Sequence, residues 1–152
     1  MKDLMAKIIG SMKVEWPDMK NTDLASDYIK RCRARLLAIK TLYDEKSWPD
    51  VVRESQEVVE LALKALLRKQ GIEFPRIHDV SAILKEKKSL LPAGIQKHLE
   101  RLCLISKSAR RDREIAFYGT EDLSPLEFYS AEDAKKSMDD AQFVLETVKK
   151  CF

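Results

Sequence analysis

The sequence contains little glycine and proline, with four and five of these residues among 152. Because they supply tight turns, their scarcity disfavours folds built from many short strands. Long apolar runs are also missing: none approaches the roughly 20 residues that cross a bilayer, so we expect no membrane partner. The first 16 residues include Asp3 and Glu15 and no small-residue cleavage site, so we expect no signal peptide. A cytoplasmic location is therefore predicted.

Cysteine and histidine are few and scattered. Cys32, Cys103 and Cys151 are far apart and form no Cys-x-x-Cys pair, and His78 and His98 are the two histidines. Metal ligands usually recur at short spacings, which these five residues lack. We interpret the cysteines as reduced core thiols, and we predict that the protein binds neither a metal nor another cofactor.

Charge is abundant but nearly balanced, with 28 basic residues, 25 acidic residues and a net charge of +3. The basic residues form two clusters: Lys30, Arg31, Arg33 and Arg35, and then Lys107, Arg110, Arg111 and Arg113. Such clusters favour phosphate binding, because each neutralised phosphate releases counterions. The alternative is that Asp27, Asp112 and Glu114 pair with several of these cations.

Apolar residues recur every three or four positions along most of the chain, and no segment alternates with a period of two. This pattern is typical of amphipathic α-helices. Four long helical segments are predicted near 23–45, 49–70, 92–115 and 131–151. We therefore predict an all-α fold, an antiparallel up-down four-helix bundle with one or two short accessory helices. In this prediction, residues 1–20 form an accessory helix and residues 21–152 form the bundle.

Turn and capping residues define the predicted helix ends. Ser47, Ser124 and Ser130 each stand three positions before an Asp or Glu, the pattern of a capping box at a helix start. Gly71 stands where the second long helix should end, because glycine readily adopts the left-handed conformation found there.

The second long segment has both surplus apolar residues and a polar stripe. Its apolar residues occupy more than one side: Val51, Val52, Val58, Val59, Leu61, Leu63, Leu66 and Leu67. This exceeds what one bundle interior needs and predicts a homodimer. Its polar stripe comprises Arg53, Glu57, Glu60 and Lys64, which share one helix face. The stripe is either a solvated face or a polar surface at a subunit contact or ligand cleft.

Arg113 lies on the line of a core face. Its predecessors at helical spacing are Ile95, Leu99, Leu102, Ser106 and Ala109. An arginine on the core side of a helix is disfavoured unless it is paired or faces a cleft. Either the helix frays before residue 113, or Arg113 meets an anion, which would be a neighbouring carboxylate or a bound phosphate.

Three segments together resemble the HEPN family of small helical-bundle proteins. They are ESQEVVELALKALL at 54–67, PRIHDV at 75–80 and RRDREIAFYG at 110–119, and the resemblance covers roughly residues 23–152. It implies a dimer. It also implies a structural role for His78 in opening a short helix, through similarity to the family's Pro-x-x-His-Asp-Leu turn.

The resemblance also has consequences for activity. Many HEPN proteins are metal-independent ribonuclease toxins in which an arginine is followed, after four to six residues, by a histidine. Arg111 or Arg113 can supply the arginine here, but the corresponding histidine positions hold Ala116 and Tyr118. The catalytic pair is therefore incomplete, with Arg113 and Tyr118 as the remaining candidates.

The sequence is similar to the HEPN branch that partners a small nucleotidyltransferase. In related toxin pairs such a partner adenylylates a tyrosine at the position of Tyr118, although this residue can instead be a buried tyrosine that braces the loop. The preferred prediction is a non-catalytic or weakly active HEPN protein in a toxin–antitoxin-like pair. It would bind nucleotide or RNA phosphate through Arg110, Arg111, Arg113 and Tyr118. The alternatives are a metal-independent ribonuclease toxin, with Tyr118 or His78 as base, and a dimeric scaffold.

Overall fold

The computed structural model describes residues 19–119 and 123–152, and the side chains of residues 21–110, 119 and 123–152 among them. The accessory helix predicted for residues 1–20 therefore lies outside the described residues, apart from its last two positions. Every regular element in the described ranges is helical, so the predicted fold class is confirmed. The four long helices are α1 (Met19–Asp44), α2 (Trp48–Lys69), α5 (Leu99–Tyr118) and α7 (Ala131–Lys149). The short elements are α3 (Ser81–Glu86), a 3-10 turn (Lys88–Leu90), α4 (Ala93–Gln96) and α6 (Pro125–Phe128).

Helix α2 is the central element of the bundle. It packs against α1, α5 and α7, and after Asp50 in its first turn none of its residues is exposed. The apolar residues that encircle it are accordingly buried within one chain, except for Leu61, which is half-buried. The inference of a dimer from surplus apolar surface on this helix is therefore wrong, because neighbouring helices of the same chain cover that surface. A homodimer remains a prediction based on the family resemblance.

The predicted helix ends are mostly confirmed. Gly71 has a φ of 69°, and the N–H groups of Gly71 and Ile72 donate to the carbonyls of Arg68 and Leu67, which closes α2. Ser124 and Ser130 both form complete capping boxes. Ser47 does not cap α2, because its ψ of 69° departs from the usual N-cap geometry, and its hydroxyl donates to Asp50 Oδ2 at 2.6 Å instead.

The helix predicted over 92–115 is two helices in the structure. A turn at Lys97 and His98 separates α4 from α5. Backbone hydrogen bonds continue across this turn: the His98 N–H donates to the Ile95 carbonyl, and the Leu102 N–H donates to the His98 carbonyl. The helical spacing of the apolar residues is therefore preserved, and the sequence shows no break. Helix α5 then continues to Tyr118, so the alternative in which it frays before residue 113 is wrong.

The three cysteines are free thiols, two buried and one half-buried, as predicted for core residues. Burial raises the pKa of Cys32 to about 12, against a smaller opposing effect of Arg35 and Arg31. Burial also raises the pKa of Cys103 and of Cys151. Because the thiolate is the reactive form, these cysteines are poor candidates for nucleophilic chemistry at neutral pH.

Candidate functional site

The polar stripe of α2 borders a cleft. The side chains of Glu60 and Lys64 are 17% and 16% exposed and form an ion pair of 2.7 Å. The interpretation of this stripe as a solvated face is therefore wrong at these two positions. Glu57, one turn earlier, is half-buried as well. The alternative interpretation, a polar surface at a ligand cleft or a subunit contact, stays a prediction.

The chain between α2 and α3 brings His78 to this stripe. Its Nδ1 lies 3.0 Å from Glu60 Oε2, and half of the side chain is exposed. A carboxylate accepts hydrogen bonds, so the tautomer with a proton on Nδ1 donates to Glu60. This contact orients the imidazole ring, and the structural role that the resemblance implies for His78 stays a prediction.

Asp79 and Ser106 attach the His78 turn to α5. The Ser106 hydroxyl donates to Asp79 Oδ1 at 2.8 Å and accepts from the Val80 N–H at 3.2 Å. Asp79 Oδ1 also accepts from the Ser81 N–H at 2.9 Å. Because Ser106 is 2% exposed, water does not compete for these bonds. The turn that carries His78 is thereby held in place from α5.

The hydrogen bonds of this network lower the pKa of Asp79. Burial, the largest single influence, acts to raise the pKa of this carboxyl. Hydrogen bonds from Ser81 and Ser106, with the positive charge of Lys107, outweigh that influence and hold the pKa below its usual value. Asp79 is therefore ionised at neutral pH, and groups of both the turn and α5 stabilise its charge.

Arg110 completes the cleft from α5. We use the name Arg110 cleft for the small space lined by Gln56, Val59, Glu60, His78, Ser106, Ala109 and Arg110. Arg110 itself is exposed, and no acidic side chain among the described residues lies within ion-pair distance of it. The cleft has a volume of only about 10 Å³, room for about one water molecule, so an anion would contact the exposed guanidinium group of Arg110 at its edge.

The other predicted site residues lie beyond Arg110 on the same helix. Positions 111, 113 and 118 have helical backbone, but their side chains lie outside the described part of the chain. Position 113 shares a helix face with Ser106 and Arg110, because the spacings are four and three. The expectation that Arg113 meets an anion, and the roles given to Arg111 and Tyr118, stay predictions.

The basic cluster on α1 is partly neutralised. Arg35 forms an ion pair of 2.7 Å with Glu54 of α2, and Arg31 lies 3.9 Å from Asp27. Arg35 thus links two helices of the bundle, which is a structural role. The alternative of pairing with Asp27 is confirmed for Arg31, whereas the partner of Arg35, Glu54, was not among the acidic residues that the sequence suggested.

The described residues form neither a metal site nor a membrane-spanning helix. No three histidine, cysteine, aspartate or glutamate side chains converge there as metal ligands would. None of the described helices has both the length and the apolar character needed to cross a membrane.

Sequence analysis missed two features of this region. Ser106 is the single polar member of an apolar stripe, and that irregularity could have identified it as a partner for a buried group. The burial of Gln56 could not be predicted. It is one of several polar residues in its segment, and no spacing or motif distinguishes it from them.

Comparison with known proteins gave two matches. The profile of the HEPN domain family matches residues 25–151. A protein of Methanocaldococcus jannaschii named "Putative toxin MJ1304" is 33% identical over 135 residues, which covers 85% of this chain and 88% of that protein. No solved structure is similar enough to this chain to count as a match.

Proposed function

The chain belongs to the HEPN domain family, and we propose that it is the HEPN member of a toxin–antitoxin-like pair whose partner is a small nucleotidyltransferase. In this proposal the protein is a cytoplasmic homodimer with weak catalytic activity or none. Its own role is to bind phosphate groups of a nucleotide or an RNA. The observation that carries the proposal is the Arg110 cleft, where an accessible guanidinium group stands beside His78.

The charges around the cleft favour an anion at Arg110. Glu60 of α2 is the carboxylate among the described residues that line the cleft, and Lys64 and His78 both contact it. Its negative charge is thus compensated locally, and Arg110 contributes an unopposed positive charge at the entrance. A planar guanidinium with five donors suits the oxygens of a phosphate. Arg111 and Arg113 follow within one turn of α5 and would add to this potential.

Weak activity is proposed because the chain lacks the expected base. The histidine positions that follow Arg111 and Arg113 hold Ala116 and Tyr118. Alanine cannot transfer a proton, and a tyrosine with an ordinary pKa near 10 is a poor base at neutral pH. Tyr118 instead serves, in this proposal, as the acceptor of an adenylyl group. Its hydroxyl oxygen would attack the α-phosphorus of ATP, lose its proton and release pyrophosphate.

A second candidate function is a metal-independent ribonuclease toxin. The observation in its favour is His78, whose ring is oriented by Glu60 and lines the same cleft as Arg110. A carboxylate that orients an imidazole is a recurrent arrangement in general base catalysis. In this function His78 would take the proton of a ribose 2′-hydroxyl, and Arg110 would stabilise charge on the phosphorane.

Co-expression with a small nucleotidyltransferase, sought in the reading frame next to the gene for this chain, tests the proposed pair. We expect the tagged HEPN protein to co-purify with it and, in the presence of ATP, to gain the mass of one adenylyl group. Tyr118→Phe should prevent the mass gain without preventing co-purification. Tyr129→Phe is the matched control, since Tyr129 is 6% exposed and should not be an acceptor. Failure of the two proteins to co-purify would contradict the pair.

A further inference from the structure

A cavity of about 290 Å³ lies next to the Arg110 cleft, between α2, α5 and α7. This volume is near the lower end of the range for small-molecule pockets. The apolar part of its lining consists of Val59 of α2 with Ile105 and Ala109 of α5. Val59 and Ile105 are buried, so this part of the lining belongs to the bundle core. It can contact the methylene groups of a ligand, but its side chains offer no hydrogen bond.

Two serine hydroxyl groups in the same lining are available to a ligand. Ser108 lies on α5 and Ser137 on α7, and both residues are half-buried. A serine inside a helix often donates to the carbonyl four residues earlier, but neither hydroxyl takes part in a hydrogen bond with a described residue. Neither oxygen is among the partnerless polar atoms that lack accessible surface, so both can be reached from the solvent.

Asp140 of α7 adds a carboxylate to this lining. Its side chain is 20% exposed, and its Oδ2 accepts a hydrogen bond from Lys136 Nζ at 3.0 Å. The side chain of Lys136 is 73% exposed, and an ion pair with so accessible a partner is weak because water and salt screen it. A positively charged ligand can therefore bind Oδ1, or replace Lys136 at Oδ2.

The charged and aromatic side chains of the described lining favour a cation over an anion. Lys136 is the one basic residue there, whereas Asp133 and Asp140 both carry carboxylates. The ring of Phe128, which is 40% exposed, also lines the cavity and lies 4.9 Å from the ring of Tyr129 in an edge-to-face arrangement. Since the face of an aromatic ring attracts positive charge, these rings favour the same kind of ligand as the carboxylates.

We propose that this cavity binds an organic cation, namely a guanidinium group on a short apolar stem. A guanidinium group is planar, carries five donors, pairs with carboxylates and stacks on aromatic rings. Its donors match the Asp140 carboxylate and the hydroxyl oxygens of Ser108 and Ser137, and its stem matches the apolar lining. Free alkylguanidines carry such a group, and so do the arginine side chains of proteins. This site is additional to the phosphate-binding role proposed for Arg110.

An NMR titration of the isotope-labelled protein tests the site with butylguanidinium, butylurea and the guanidinium ion. Butylurea has nearly the shape of butylguanidinium without its charge, and the guanidinium ion has the charge without the stem. We expect butylguanidinium to shift the backbone amide signals of Ser108, Ser137 and Asp140, and to bind about tenfold or more tightly than either comparison probe. Equal affinities of butylguanidinium and butylurea, or no saturable binding at millimolar concentration, would overturn the proposal.

Substitutions on α7 test the role of the carboxylate. Asp140→Asn should weaken butylguanidinium binding about tenfold or more, because asparagine removes the charge from the hydrogen bond. Lys136→Ala should instead strengthen binding, because it removes the competing cation. Asp139→Asn is the matched control: Asp139 forms the same type of ion pair with Lys135 but lines a neighbouring cavity. We expect it to change the affinity less than about twofold, since salt screens charges outside the site. Equal losses in Asp140→Asn and Asp139→Asn would overturn the proposal.

N-acetylarginine amide, an arginine with both ends blocked, distinguishes the two sources of the cation. Tighter binding of this probe than of butylguanidinium would support an arginine side chain of a protein partner as the ligand. Tighter binding of butylguanidinium would support a free small molecule, because the peptide groups of the blocked arginine would then not fit. Arg110→Ala should leave both affinities unchanged, so the result does not depend on the phosphate-binding role of Arg110.

Discussion

Replacing Ser106 by alanine is expected to lower the free energy of unfolding by about 1–3 kcal/mol, the cost of leaving a buried polar group unpaired. The hydroxyl of Ser106 is the hydrogen-bond partner of the Val80 N–H and donates to Asp79 Oδ1. Val80 is 0% exposed, so water cannot replace the lost acceptor without a local rearrangement. Chemical denaturation measures the change.

Ser108→Ala is the matched control for this prediction. Ser108 lies two residues further along α5 and is half-buried, and none of the described hydrogen bonds uses its hydroxyl. We expect its removal to change the free energy of unfolding by less than about 0.5 kcal/mol. Equal effects of the two substitutions would show that Ser106 does not hold the His78 turn.

The Asp79 network also predicts a pH dependence. The pKa of Asp79 is lower in the folded protein than in the unfolded chain, where it is about 3.9. Its contribution to stability is thus fully present above about pH 4 and is lost as the pH falls through the folded value. The difference in stability between the wild type and Asp79→Asn should shrink over that acidic range. A difference that grows with acidification would contradict the network.

Replacing Gly119 by alanine is expected to cost at least about 2 kcal/mol of stability, from left-handed strain and overpacking together. Gly119 follows the last residue of α5 and has a φ of 85°. A Cβ built there would lie 2.6 Å from the Leu123 carbonyl oxygen and 2.9 Å from Pro125 Cδ. Backbone and a proline ring cannot move aside as a flexible side chain can.

Gly71→Ala separates these two contributions. Gly71 has a similar φ of 69°, but no atom lies within 4 Å of a Cβ built at that position. It should therefore cost about 1–2 kcal/mol, the left-handed strain alone. Urea denaturation of both variants measures the difference. A cost for Gly119→Ala no larger than that for Gly71→Ala would show that the loop after α5 adjusts freely.

The sequence predicted the helical fold because local patterns determine it. Apolar spacing located the four long helices, and the capping boxes at Ser124 and Ser130 and the glycine at Gly71 defined their ends. The same reasoning could not assign α2 to the centre, since burial on all sides depends on which helices surround it. It also joined α4 to α5, because the turn at Lys97 and His98 preserves the apolar spacing.

The candidate site was predictable in part. The resemblance drew attention to His78 and to the arginines of α5, and periodicity identified the stripe that contains Glu60. Their meeting in one cleft is a tertiary contact between residues far apart in the sequence, so no local pattern reports it. The buried amide of Gln56 is also invisible in sequence, because only the folded structure shows that no described residue forms a hydrogen bond with it.

Fluorescence anisotropy of a short labelled RNA, titrated with the protein in the presence of a metal chelator, tests the central claim most directly. The account predicts a rise that stays constant with time, which means binding without cleavage. Arg110→Ala should weaken RNA binding and reduce the salt dependence of the affinity by about one phosphate contact. Arg33 is an exposed arginine on α1, and the control variant Arg33→Ala should have a smaller effect. Anisotropy that decays as the RNA is cleaved would establish the ribonuclease function instead, and equal effects of the two substitutions would contradict the phosphate site.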